Sequence, residues 1–165
     1  MTKIAIVAAA LWCALLATPA AAQLVPDLTG TWEGRWSCKT FHGAKGTEEN
    51  KQSEFQIVQN GTTFAADLDG GGFLYNGAVI PDDKNTANKP GKGEAVLIQC
   101  GTDNLPFAGA EAEMLRVSVK TKPNSVAATL KGTSIFEDPP GVVGTCQFSY
   151  KRTTTSTTRM VGPCP

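Results

Sequence analysis

The residues of this chain best equipped for chemistry are a lone histidine, His42, and four of its five cysteines, Cys38, Cys100, Cys146 and Cys164. His42 follows Phe41 and opens a Gly-Ala-Lys-Gly run. A histidine acting as general base needs a nucleophile beside it and an acid to orient it. No serine or cysteine motif accompanies His42, so it reads as a solvated loop residue. Structural zinc needs paired ligands at short spacing, and no two cysteines here have Cys-x-x-Cys spacing. Asp67-Leu68-Asp69-Gly70 is similar to the start of a calcium loop but lacks the later ligands and the bidentate glutamate, so it reads as a turn. Asp82-Asp83 and the lysines of 84–92 read as solvated loop residues, and Asn60-Gly61-Thr62, formally a glycosylation acceptor, reads as a hairpin turn. The residues therefore assign no catalytic group, no metal and no cofactor, and an enzyme is the least supported class.

The compartment decides how the cysteines are used. Residues 1–22 carry one charge, Lys3, then an apolar run from Ile4 to Leu16, then Ala17-Thr18-Pro19-Ala20-Ala21-Ala22. This is the three-part pattern of a secretory signal peptide. Its apolar core is shorter than the roughly 20 residues that span a bilayer. Ala20 and Ala22 meet the small-x-small requirement, which places cleavage near Ala22, before Gln23. Trp12 precedes Cys13 where a lipoprotein signal needs a small residue, so Cys13 is not a lipidation site. The expectation is a periplasmic or secreted chain of residues 23–165 with no membrane insertion. Four cysteines in an oxidising compartment imply two disulfides with three possible connectivities.

Removing Lys3 leaves 14 basic residues against 15 acidic ones in the exported part. Such a balance builds no strong field and argues against nucleic acid as a partner. A length near 143 residues suits one domain with one core.

Positioning falls to strands. After residue 22, helical periodicity is almost absent, and short alternating runs are separated by Gly, Pro, Asn and Asp clusters. Strands are expected over 29–40, 53–59, 62–69, 73–80, 94–100, 113–121, 126–136 and 142–153. Residues 154–165 form a tail, expected to be poorly ordered unless Cys164 ties it down. A meander of eight strands with one apolar face each leaves two edges exposed unless the sheet closes. The expected fold is all-β: an eight-stranded antiparallel up-and-down barrel over 23–153, with a two-sheet β-sandwich as the alternative.

Leu28-Thr29-Gly30-Thr31-Trp32 resembles the opening of the calycin barrels, the lipocalins and their avidin-like relatives. The resemblance covers the first strand and, loosely, the layout. It implies that Trp32 plugs the base of the barrel and that a basic residue near the end of the last strand lies over the indole. Arg152 shares face parity with Cys146, Phe148 and Tyr150 and is the residue for that role, at a cation–π gain of roughly 0.5–2 kcal/mol. No Thr-Asp-Tyr segment of the lipocalin kind is present, and only Trp36 joins Trp32 after residue 22, too few tryptophans for a biotin pocket. In such a barrel Cys38, Cys100 and Cys146 crowd the rim opposite Trp32. Cys38–Cys146 would staple the seam and leave Cys100–Cys164, the other two pairings remaining open.

Two roles follow. One is a carrier of a small apolar ligand held by interior residues Trp36, Phe64, Leu68, Val117, Leu130, Phe148 and Tyr150, against the plain reading of that same set as packed core. The other is a protein-binding module, such as an envelope inhibitor of a hydrolase, acting through 41–51, 82–92 or 104–108, where Leu105 and Phe107 are candidate anchors. The chain is expected to be a monomer.

Overall fold

A run that alternates apolar and polar residues with a period of two can bury only one face, so these segments must share a single interior. The structure is a computed structural model and describes residues 25–40, 47–70, 72–85, 91–101, 110–119, 126–138 and 142–162. The strands are β1 (Gly30–Thr40), β2 (Thr47–Asn60), β3 (Thr63–Leu68), β4 (Phe73–Pro81), β5 (Lys92–Gly101), β6 (Ala110–Val119), β7 (Ala128–Asp138) and β8 (Val142–Thr154). All are antiparallel to their neighbours and belong to one strongly curled sheet; the described residues include no helix. A two-sheet sandwich does not form. β1 pairs with β2 on one side and with β8 on the other, with Trp32 opposite Arg152 and Cys38 opposite Cys146.

Several strands run past the hydrophobic signal. β2 begins at Thr47 rather than residue 53, through Glu48, Glu49, Asn50 and Lys51, because β1 is long enough to keep offering backbone partners: Trp36 pairs with Lys51 and Cys38 with Glu48. The pairing slips between Trp36 and Cys38, a local irregularity in the ladder. The hairpin expected at Asn60-Gly61 turns through Gly61-Thr62, with Gly61 at φ 62°.

The interior follows the alternation. Trp32, Phe64, Leu68, Leu130, Phe148 and Tyr150 are buried as the parity implies, and Ala66 and Ala128 share their face. Phe55, Ile57, Tyr75, Val79, Ala95 and Leu97 complete that core. Each large side chain contributes about 1.5–3 kcal/mol through burial. Val117 sits in register opposite Gly93 and Leu130, but its side chain lies outside the described residues, as do those of Leu115 and Val119. The outer face carries exposed Ile80, Ile98 and Ile135.

Some outward positions break the rule. Gln56 and Asp67, opposite each other on β2 and β3, are 0% and 5% exposed. What covers them is the segment after β8. Residues 155–162 of the expected tail are held by side chains of the sheet: Gln56 Oε1 accepts the backbone N–H groups of Thr158 and Arg159, and Thr31 Oγ1 donates to the Ser156 carbonyl at 2.9 Å. Polar side chains, not apolar ones, hold this segment, so hydrophobic patterning carries no trace of it.

Cys38 and Cys146 form a disulfide across β1 and β8, with Cα atoms 4.0 Å apart and a sequence separation of 108. Cys100 is also in a disulfide. Cys164 lies outside the described residues. The chain-entropy model assigns a loop of this length about 4–5 kcal/mol. Replacing Cys38 and Cys146 together by alanine is expected to lower unfolding stability by up to about that amount, read by urea denaturation monitored through tryptophan fluorescence. A loss below about 1 kcal/mol would show that the β1–β8 pairing stands without its covalent link.

Candidate functional site

The curled sheet has two ends, and they differ in chemistry. At the end where β1 begins, the segment 25–29 crosses the interior. Leu28 is fully buried, Pro26 packs against Gly93, and Val25 rests on the core. Trp32 is fully buried and donates its indole N–H to the Leu28 carbonyl at 2.9 Å. Gln59 fastens the segment from β2 by accepting the Leu28 N–H at 2.7 Å.

Arg152 joins these parts. Its guanidinium lies 5.5 Å from the Trp32 ring centroid. Nη1 donates to the carbonyls of Asp27 (2.8 Å) and Thr29 (3.1 Å), and Nε donates to the carbonyl of Val126 (3.0 Å). The Asp27 carboxylate stands 3.6 Å away and is itself mostly exposed. Desolvation pulls the Arg152 pKa below the usual arginine value, and the Asp27 charge opposes that shift. Arginine has margin enough to stay charged. Gly30 is obligatory here, since its φ is 139° and a Cβ would run into the Thr154 carbonyl oxygen. The result is a sealed end.

Above it lies an aromatic layer drawn from β2, β4 and β8. Phe55 meets Tyr75 edge-on at 5.9 Å and Tyr150 in a stacked arrangement at 5.7 Å, and Phe148 stacks on Tyr150 at 6.4 Å. Such pairs add about 0.5–1.5 kcal/mol each beyond burial. The layer is not wholly apolar, because the buried Tyr150 hydroxyl and Ser53 Oγ share a hydrogen bond of 2.7 Å. Ser134 on β7 is buried on the same face. Trp36, half-buried, packs against this group next to Phe148, its partner in register.

The sequence-derived interior set therefore divides. Trp36, Phe148 and Tyr150 gather on the β1–β8 side of the aromatic layer, and Leu68 stands in register opposite Phe55. Phe64 lies low against Gly77 on β4, where a Cβ would overlap its ring, and Leu130 is fully buried beside Tyr150 in register. Phe55, Tyr75 and Ser53 belong to the layer although the sequence-derived set omits them. Phe55–Ile57 and Phe73–Tyr75 alternate as clearly as the residues chosen, and the same parity rule finds them.

The other candidates are not drawn into this interior. Asp67 is in β3 facing outward, and Asp69 is in the following turn, its Oδ1 accepting the Glu54 N–H at 3.0 Å. Asp82 Oδ1 accepts the Lys84 N–H, which with the Asp83 side chain holds its carboxyl below the usual value. Among the described residues no group of three or more potential ligands is placed to hold a metal. His42 and residues 102–109, including Leu105 and Phe107, lie outside the described residues. No protein-family model, curated protein or solved structure matches this chain.

Replacing Arg152 with methionine leaves the carbonyls of Asp27, Thr29 and Val126 without their donor. A loss of about 3 kcal/mol or more is expected from charged hydrogen bonds of this kind. Arg152→Lys is expected to recover less than half, because a single ammonium cannot reach carbonyls that a planar fork spans. Urea denaturation of the two variants checks both statements. In the aromatic layer, Tyr150→Phe strands the buried Ser53 hydroxyl and is expected to cost about 1–2 kcal/mol, against a smaller loss for the Ser53→Ala, Tyr150→Phe double variant.

Proposed function

We propose that this protein is an exported carrier of a small, largely apolar ligand, held in the interior of a closed eight-stranded up-and-down barrel of calycin-like construction. One observation carries the reading: the interior is graded. One end is packed shut by Leu28, Trp32 and Arg152, while toward the other a half-buried Trp36 stands beside stacked Phe148 and Tyr150. An interior designed only for stability has no need of that gradient, and eight strands is the number whose lumen holds one small ligand. Binding is by burial against aromatic faces, with the Ser53–Tyr150 hydroxyl pair as the polar contact that orients the ligand.

Export and monomeric state complete the proposal. The signal-like residues 1–22 and the Cys38–Cys146 bridge support an oxidising compartment outside the cytoplasm. Cys164 is the partner proposed for Cys100, which would fasten the end of the chain. Expressed with its leader in a bacterial host, the protein is expected in the periplasmic fraction with Gln23 as its first residue. Its non-reduced peptide map is expected to contain Cys100 joined to Cys164. N-terminal sequencing and mass spectrometry read both, and retention of Met1 on soluble cytoplasmic protein would overturn the export reading.

The carrier reading is tested by titrating N-phenyl-1-naphthylamine into the purified oxidised protein. Saturable 1:1 fluorescence enhancement is expected, weakened at least tenfold by Trp36→Ala and unchanged by Ile135→Ala on the outer face. Absence of saturable uptake, or equal loss in both variants, would overturn it.

A further inference from the structure

We propose that residues 155–162 are a brace that fixes the β3–β4 turn and thereby positions Phe73 at the end of the sheet opposite Trp32. The tail leaves β8 at the sealed end, where Thr31 holds the Ser156 carbonyl, and runs along the outside of β2 and β3 toward the opposite end. Gln56 is its seat. That fully buried amide uses all of its capacity: Oε1 accepts from the N–H groups of Thr158 (2.9 Å) and Arg159 (3.1 Å), and Nε2 donates to Thr158 Oγ1 (2.6 Å) and Glu54 Oε1 (2.8 Å). A glutamine so committed reads the backbone of one extended segment in one register.

Arg159 carries the hold onward. Nη1 pairs with Glu54 at 3.0 Å and Nε with the buried carboxylate of Asp67 at 3.3 Å, while Nη2 is buried with no acceptor. The guanidinium is therefore located by two carboxylates on two different strands. Glu54 is also where the turn is tied: its N–H donates to Asp69 Oδ1, and its carbonyl accepts the Asp69 N–H at 2.8 Å. Asp69 holds φ 55°, in the left-handed region that a non-glycine residue rarely adopts. Gly70 follows at φ 76°, its Cα side facing Arg159 Nη1, which would lie 3.7 Å from a Cβ there. The turn's unusual backbone is thus clasped between Glu54 and the arginine of the tail.

Phe73 opens β4 directly after this turn, opposite Leu68. It is 40% exposed, although Tyr75, two residues on and on the same face, is buried. A large aromatic side chain at the lip of the interior is set by the turn that precedes it, so the tail outside the sheet governs a residue facing inward. The bearing of this brace on ligand access rests on the carrier reading above; the brace itself does not.

Hydrogen exchange of the full-length oxidised protein, followed by mass spectrometry, tests it. Arg159→Ala and Gln56→Ala are expected to speed exchange at residues 69–73 at least tenfold, with β7 unchanged and Arg159→Lys intermediate. Because Arg159 is half-buried on the outside of the sheet and not in its core, its alanine variant is expected to fold with the melting temperature lowered by only a few degrees. Unchanged exchange at 69–73 in Arg159→Ala would overturn the proposal, as would uniform acceleration across all strands. Should wild-type protein bind N-phenyl-1-naphthylamine, Arg159→Ala is expected to release it at least threefold faster. Failure of the probe to bind overturns the carrier reading and leaves the exchange result to decide the brace.

Discussion

Taking a guanidinium out of water is expensive unless its N–H groups find acceptors and its charge finds a compensating field. Arg152 meets that condition only when three parts of the chain converge: the segment before β1, Val126 shortly before β7, and β8 itself. The first contributes the carbonyls of Asp27 and Thr29, the second that of Val126, the third Arg152 itself, and Trp32 contributes the face of its ring. The requirement works in both directions. Arg152 cannot be buried until these segments arrive, and once buried it penalises the departure of any one of them. The first and last strands are thus held in register at one end by a desolvated cation and at the other by a disulfide.

That arrangement concentrates rigidity where ligand chemistry is least useful. The Trp32 indole N–H and Arg152 Nε and Nη1 are spent on backbone carbonyls, and the Leu28 N–H on Gln59. The aromatic layer above is looser in chemical terms. Its rings meet at mixed angles, edge-on between Phe55 and Tyr75 and stacked between Phe148 and Tyr150, and one hydroxyl pair sits among them. For the carrier proposed above this division matters, because affinity for a small molecule depends on walls that are already in place when it arrives.

Period-two alternation made much of this legible. Trp32, Phe64, Leu130, Phe148 and Tyr150 all sit on the face that their spacing assigns, and Arg152 and Cys146 oppose Trp32 and Cys38 as expected. What alternation could not convey was anything maintained by polar groups. The extension of β2 through Glu48–Lys51 rests on backbone pairing with β1, to which side-chain hydropathy is blind. Gln56 and Asp67 occupy outward positions that look solvated in sequence, and they are buried because a segment about 100 residues later supplies their partners. Phe55 and Tyr75 are legible in the same way, since the periodicity that selects Phe64 selects them as well.

The bridge between Cys38 and Cys146 has a further consequence for how the chain survives damage. It connects the outermost members of the strand succession, so the polypeptide between them forms a covalent ring. Cutting that ring once, at the surface turn through Gly61–Thr62 for instance, yields no separable fragments while the sulfurs stay oxidised. Every strand remains tethered to both neighbours, one of them through sulfur or the long way round. Wherever that bridge stays oxidised, a molecule of this kind tolerates a nick that would dismantle an open chain.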